Sequence, residues 1–170
     1  MSALFLSLVH ELGHIFLLLL FNKKIIEINI NVFSVDIVKN ESFNLPYTKE
    51  IVIIMAGPLF NVIFALIFGI IYNFSKLEIF KILSVQSFLI GLVNFIPISS
   101  LDGGQIFSMF LRRFFDDFRT KQISFVVSVM FIIPMMTLGF YMFIKSGINI
   151  SMIVLAIYLS SFLIMREQER

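Results

Sequence analysis

The sequence predicts an all-α membrane protein, a polytopic bundle of about five transmembrane helices with a short surface β-hairpin after the first helix. Three observations carry this expectation. Hydrophobic residues make up 59% of the chain and charged residues 14%, with a mean hydropathy of +0.99. A soluble domain carries about 25% charged residues. Five apolar runs approach the ~20 residues that a helix needs to cross a bilayer. Between the first two runs, Ile26-Glu27-Ile28-Asn29-Ile30-Asn31-Val32 alternates apolar and polar residues strictly, the period of a strand.

The expected spans, in order, are residues 3–21, 51–72, 82–98, 123–144 and 148–165. The third continues past a break into residues 105–115, and Pro134 is expected to kink the fourth. Phe33, Val35 and Ile37 continue the alternation, as a hairpin partner or after a bulge; the alternative is an irregular amphipathic loop lying on the headgroups. A polar stretch from Lys39 to Glu50 then leads into the second span. No cleavable signal peptide is expected, because the N-terminus lacks a basic region.

Composition excludes several classes of function. The absence of cysteine removes disulfides and cysteine-based zinc or redox sites. No basic surface interleaved with aromatic residues stands out, so nucleic acid is not an expected partner. The 22 phenylalanines suit lipid-facing and core helices, and no organic cofactor is expected. With five spans the termini lie on opposite sides. One side collects Lys23, Lys24, Lys39, Lys49, Arg112, Arg113, Arg119, Lys121, Arg166 and Arg170; the other holds Lys76, Lys81 and Lys145. Basic residues concentrate on the cytoplasmic side, so the C-terminus is expected inside and the N-terminus outside.

The chemistry concentrates in His10-Glu11-Leu12-Gly13-His14, an HExxH motif inside the first apolar run. On a helix, residues i and i+4 share a face, so His10 and His14 are placed to bind one metal ion. Glu11 sits beside them to act on a metal-bound water. These are the only two histidines, and ionisable groups within a span are costly and usually functional. His14 precedes Asn22 by eight positions, about 12 Å of helix, which puts the metal in the membrane nearer the cytoplasm. The bland alternative is a pair of histidines satisfied by hydrogen bonds at a helix interface.

A catalytic zinc needs a third protein ligand and an open position. Most acidic residues fall in expected loops or tails; Asp102 is the exception. It follows Asn94-Phe95-Ile96-Pro97-Ile98-Ser99-Ser100-Leu101 and precedes Gly103-Gly104, where a long apolar run ends. Pro97 breaks the helix, and the paired glycines permit a tight turn. Broken backbone at membrane depth persists where it is buried in protein or lines a cavity. Both the chemistry and the shared cytoplasmic side favour Asp102; the bland alternative is an Asp-Gly-Gly turn that simply ends a span.

HELGH in an apolar helix, Ala56-Gly57-Pro58-Leu59-Phe60-Asn61, and Asn94-x-x-Pro97 followed by Leu101-Asp102-Gly103-Gly104 together resemble the site-2 protease family of intramembrane zinc metalloproteases. The resemblance covers roughly residues 3–110, and order and spacing look most like the compact branch that processes sporulation sigma factors. It implies one Zn2+ per chain held by His10, His14 and Asp102, with Glu11 as the catalytic carboxylate. It implies a protease core over residues 1–115, followed over 116–170 by two accessory transmembrane helices and a short cytoplasmic tail. Asn61, Asn94, Pro97 and Gly103 are expected to position substrate or support the site. The surface strands are expected to hold an extended substrate by strand addition. Nine residues precede the motif where relatives carry a further span, and Ser100 stands where some relatives have proline.

The resemblance implies zinc-dependent endoproteolysis of a membrane-associated or transmembrane protein in a bacterial cell membrane, with a sporulation sigma-factor precursor as the favoured substrate and a membrane-anchored anti-sigma factor or a remnant signal peptide as the alternative. The expected partners are that substrate, the lipid bilayer and a membrane regulatory protein. The alternative is a non-proteolytic metal-binding protein or pseudoprotease that holds a membrane partner. The intact Glu11 argues against it, since a holder needs ligands but no base.

Overall fold

A computed structural model describes residues 2–21, 27–30, 35–38, 46–146 and 151–168. The chain divides into two compact units, residues 1–94 and 95–170. Three helices among the described residues are long and apolar enough to cross a membrane: α1 (Ser2–Leu20), α2 (Tyr47–Ser75) and most of α5 (Asp117–Ser146). The protein is a helical membrane protein.

The first unit holds α1, two short strands, α2 and α3 (Glu78–Asn94). The strands β1 (Glu27–Ile30) and β2 (Val35–Val38) pair antiparallel, with Glu27 opposite Val38 and Ile30 opposite Val35. The alternating pattern at 26–32 surrounds β1. Residues 31–34, where the chain joins the strands, and the polar stretch 39–45 lie outside the described residues.

Helix α1 is about 28 Å long at 1.5 Å per residue, close to the thickness of a hydrocarbon core. Its buried residues, Leu6, Val9, His10, Gly13, His14 and Leu18, recur at helical spacing and form one stripe. The opposite face, with Leu4, Leu8, Leu12 and Leu19, is apolar yet exposed. Such an outward face suits lipid rather than water.

Small residues bring α1 and α2 close together. A Cβ on Gly13 would meet the Ala56 carbonyl oxygen at 2.6 Å and Phe60 Cγ at 2.9 Å. Close approach of this kind raises dispersion contact where no hydrophobic drive operates between helices. Helix α2 then turns sharply into α3. Lys76 adopts the left-handed conformation at φ 56°, and its N–H donates to Tyr72 O at 2.8 Å, closing the helix. The antiparallel α2–α3 pair is laced by polar contacts. Ser84 Oγ donates to Ala65 O (2.7 Å) and Ser87 Oγ donates to Asn61 O (2.8 Å). Further along, a Cβ on Gly91 would meet Pro58 O at 3.0 Å.

The second unit holds an irregular segment, α4 (Asp102–Leu111), α5 and α6 (Ser151–Gln168). The third apolar run does not stay helical to residue 98, because α3 ends at Asn94. Pro97 lacks an N–H and disfavours helix in the residue before it, so the chain turns there. The turn supplies its own hydrogen bonds, Ile98 N–H to Ile96 O and Leu101 N–H to Ile98 O, both 2.8 Å. Ile98 anchors it in a buried cluster with Ile132, Leu159 and Leu163. Serines tie the turn to α5: Ser99 N–H donates to Ser128 Oγ (2.9 Å), and Ser128 Oγ donates to Ser124 O (2.7 Å). Helix α4 starts at Asp102, three residues earlier than the apolar pattern suggests, with the Gly104 and Gln105 N–H groups bonded to Leu101 O. Pro134 lies inside α5.

Candidate metal centre

His10 and His14 are both buried on the stripe of α1 that faces α2. Their spacing of four turns the two imidazoles toward one another, with centroids 5.0 Å apart and planes at 79°. The Nε2 atoms approach to 3.3 Å. Two nitrogen ligands of a tetrahedral zinc, each at 2.0–2.1 Å, are separated by about 3.3 Å. The pair therefore fits one metal through its Nε2 atoms.

Helix α2 supplies the opposite support through a stripe at i, i+4 and i+8. Ile53 O accepts a hydrogen bond from His14 Nδ1–H at 2.8 Å. Asn61 Nδ2 lies 3.3 Å from His10 Nδ1. Gly57, midway between them, faces both rings. A Cβ there would contact His14 Nε2 and come within 2.7 Å of His10 Nε2. Only a residue without a side chain lets α2 approach the histidine pair this closely. Metal-ligating histidines usually commit their second ring nitrogen to such a partner, which fixes ring orientation and tautomer.

Residues 74–137 match the profile of Peptidase family M50. That stretch includes Asp102 and Gly103 but not the histidine motif. The chain is 25% identical over 169 residues to Stage IV sporulation protein FB of Bacillus subtilis (strain 168), covering 98% of this chain and 58% of that protein. It thus spans less than two thirds of that relative's length. The fold matches that of the Site-2 Protease from Methanocaldococcus jannaschii with a TM-score of 0.71 at 21% identity, over 93% of this chain and 72% of the other. The family-model match and the sporulation relative agree with the site-2 protease resemblance carried by the motifs, and the solved structure shares the fold.

The other expected site residues fall as follows. Glu11, one position beyond His10, is half-buried on α1. Asp102 opens α4 in the second unit and is the one buried carboxylate among the described residues. Gly103 and Gly104 sit behind it with no room for side chains. A Cβ on Gly103 would meet Phe95 O and Ile96 O, and one on Gly104 would meet Ile98 O. The Pro97 turn and the glycine pair thus form one folded-back structure that presents Asp102. Asn94 uses its amide within its own helix, donating to Ile90 O at 3.0 Å. Asn61 is fully buried against His10. The Ile53 carbonyl was not among the sequence expectations. A main-chain acceptor leaves no residue-type signal, although its spacing of four from Gly57 marks the same face.

Proposed function

We propose that this protein is a zinc-dependent intramembrane endopeptidase that cleaves a membrane-associated or transmembrane protein. The observation that carries the reading is the pair of buried Nε2 atoms 3.3 Å apart, beside Glu11, with both Nδ1 atoms set against α2. The ligand set is His10, His14 and Asp102. Two imidazoles and a carboxylate suit zinc and leave a fourth position open. When bound, zinc supplies Lewis acidity that activates water and polarises the scissile carbonyl.

Glu11 acts as general base and then general acid. Its carboxylate takes a proton from the attacking water and passes it to the leaving amine as the peptide C–N bond breaks. Burial of the histidine pair keeps bulk water away from this exchange. A substrate helix must unwind locally, because its carbonyls are engaged in i to i−4 hydrogen bonds. The edges of the β1–β2 hairpin suit capture of the unwound segment by strand addition.

The catalytic core takes in residues 1–115, followed by the accessory helices. Five helices span the membrane, α3 and α6 joining the three longer ones, with the C-terminus in the cytoplasm. The favoured substrate is a sporulation sigma-factor precursor, in keeping with the likeness to Stage IV sporulation protein FB. A membrane protein regulates access to the site.

Metal content of the detergent-purified protein tests the ligand set without a known substrate. Wild type is expected to hold about one zinc per chain, and His14→Ala and Asp102→Ala to lose it. Zinc retained in Asp102→Ala overturns Asp102 as a ligand. Folded wild-type protein that takes no metal favours the non-proteolytic alternative.

A further inference from the structure

His14 and His10 meet different kinds of partner at Nδ1. Ile53 O can only accept, so His14 carries its proton on Nδ1 and its Nε2 is unprotonated. Asn61 offers both a donor and an acceptor, so it is compatible with either tautomer of His10. With Nδ2 against His10 Nδ1, Asn61 donates, and the His10 proton sits on Nε2, 3.3 Å from the unprotonated His14 Nε2. In that arrangement Asn61 Oδ1 is buried without a hydrogen-bond partner among the described residues. A metal on both Nε2 atoms requires the other tautomer, with the His10 proton on Nδ1 and an acceptor facing it. Half a turn of the amide brings Oδ1 to that place, since the two ends of the group are nearly the same size.

We propose that Asn61 is a positioning residue whose amide turns when metal loads, donating to His10 Nδ1 without metal and accepting from it with metal. The exchange is neutral. His10 loses a proton from Nε2 and gains one at Nδ1, while His14 keeps its tautomer throughout. Asparagine suits this position because aspartate only accepts and leucine does neither. The anchoring of Asn61 supports such a role: Ser87 Oγ donates to its main-chain oxygen, so the backbone is held while the side chain turns. This inference rests on the metal-site reading above.

The test is 15N NMR of histidine-labelled, full-length, untagged protein in detergent, with and without Zn2+. The chain has only two histidines, so the spectrum is simple. Without metal, one Nδ1–H and one Nε2–H tautomer are expected; with zinc, two Nδ1–H. Asn61→Asp is expected to hold His10 as Nδ1–H in both conditions and to keep zinc binding. Asn61→Leu is expected to weaken zinc binding by about 10–100-fold. Two Nδ1–H tautomers in metal-free wild type overturn the turning amide, as does wild-type zinc affinity in Asn61→Leu. If Asn61→Leu does not fold, the wild-type and Asn61→Asp spectra decide. Failure of wild type to bind zinc is a failure of the metal reading and leaves the metal-free tautomer pattern as a separate result.

Discussion

At the scale of single residues, the site combines groups whose identity is chemically forced with groups whose identity is set by neighbours. For the proposed chemistry His10, His14 and Glu11 are forced, since it needs two nitrogen ligands and a base at this spacing. Glu11→Gln keeps the shape and removes the base. It is expected to lower cleavage of a substrate by at least about 100-fold while leaving zinc content unchanged, read by peptide cleavage and metal analysis on the same preparation. Loss of zinc in Glu11→Gln would show that Glu11 serves the ligand set rather than proton transfer. Gly57 is set by its neighbours. Its place in the sequence marks a small residue in a helix, and only the approach of two imidazoles explains why it has no side chain.

At the scale of elements, α1 and α2 act as one clamp. Gly57→Ala is expected to push an imidazole off its position, destabilising the helix pair by about 1–3 kcal/mol, the range for overpacking. Zinc content and the thermal midpoint in detergent should fall together. Gly69→Ala on the same helix is the control. Its added Cβ would meet only Ser84 Oγ, at 3.3 Å, and a small effect is expected. Helix propensity favours alanine over glycine, so equal loss in both variants would point to a general intolerance of added bulk along α2 rather than to the histidine contact. The α2–α3 pair depends more on hydrogen bonds. Ser87→Ala removes the bond to Asn61 O and is expected to cost about 0.6 kcal/mol, the mean for interhelical bonds in membranes, read by unfolding in mixed detergent. Much of this was legible in advance. HELGH announced the helix that carries the histidine pair, and Pro97 with Gly103-Gly104 announced the broken segment before α4. Gly57 and Pro58 in turn suggested close packing against the HELGH helix, but the register that sets Ile53 O and the Asn61 amide against the Nδ1 atoms was not legible, because their common face matters only once α2 lies antiparallel to α1.

At the scale of the whole molecule, the arrangement of apolar and basic segments makes a topological prediction. The chain contains no cysteine, so single cysteines report without background. A cysteine at Ser75 in the α2–α3 turn is expected to react with an impermeant maleimide added to intact cells. A cysteine at Phe115 between α4 and α5 is expected to react only after the cells are opened. The reverse pattern would invert the proposed orientation and place the histidine motif nearer the outer face. Composition and apolar runs by themselves determined that this chain is a helical membrane protein, and two histidines four apart marked the pair proposed here as metal ligands. Both are local properties, since hydropathy and helical period act over one segment at a time. Tertiary structure alone decided which atoms stand behind those ligands. The Ile53 carbonyl and the Asn61 amide reach the Nδ1 atoms across gaps of 39 and 51 residues in sequence. No local pattern encodes such a contact, because it exists only when a helix crossing stripped of side chains brings two backbones within reach.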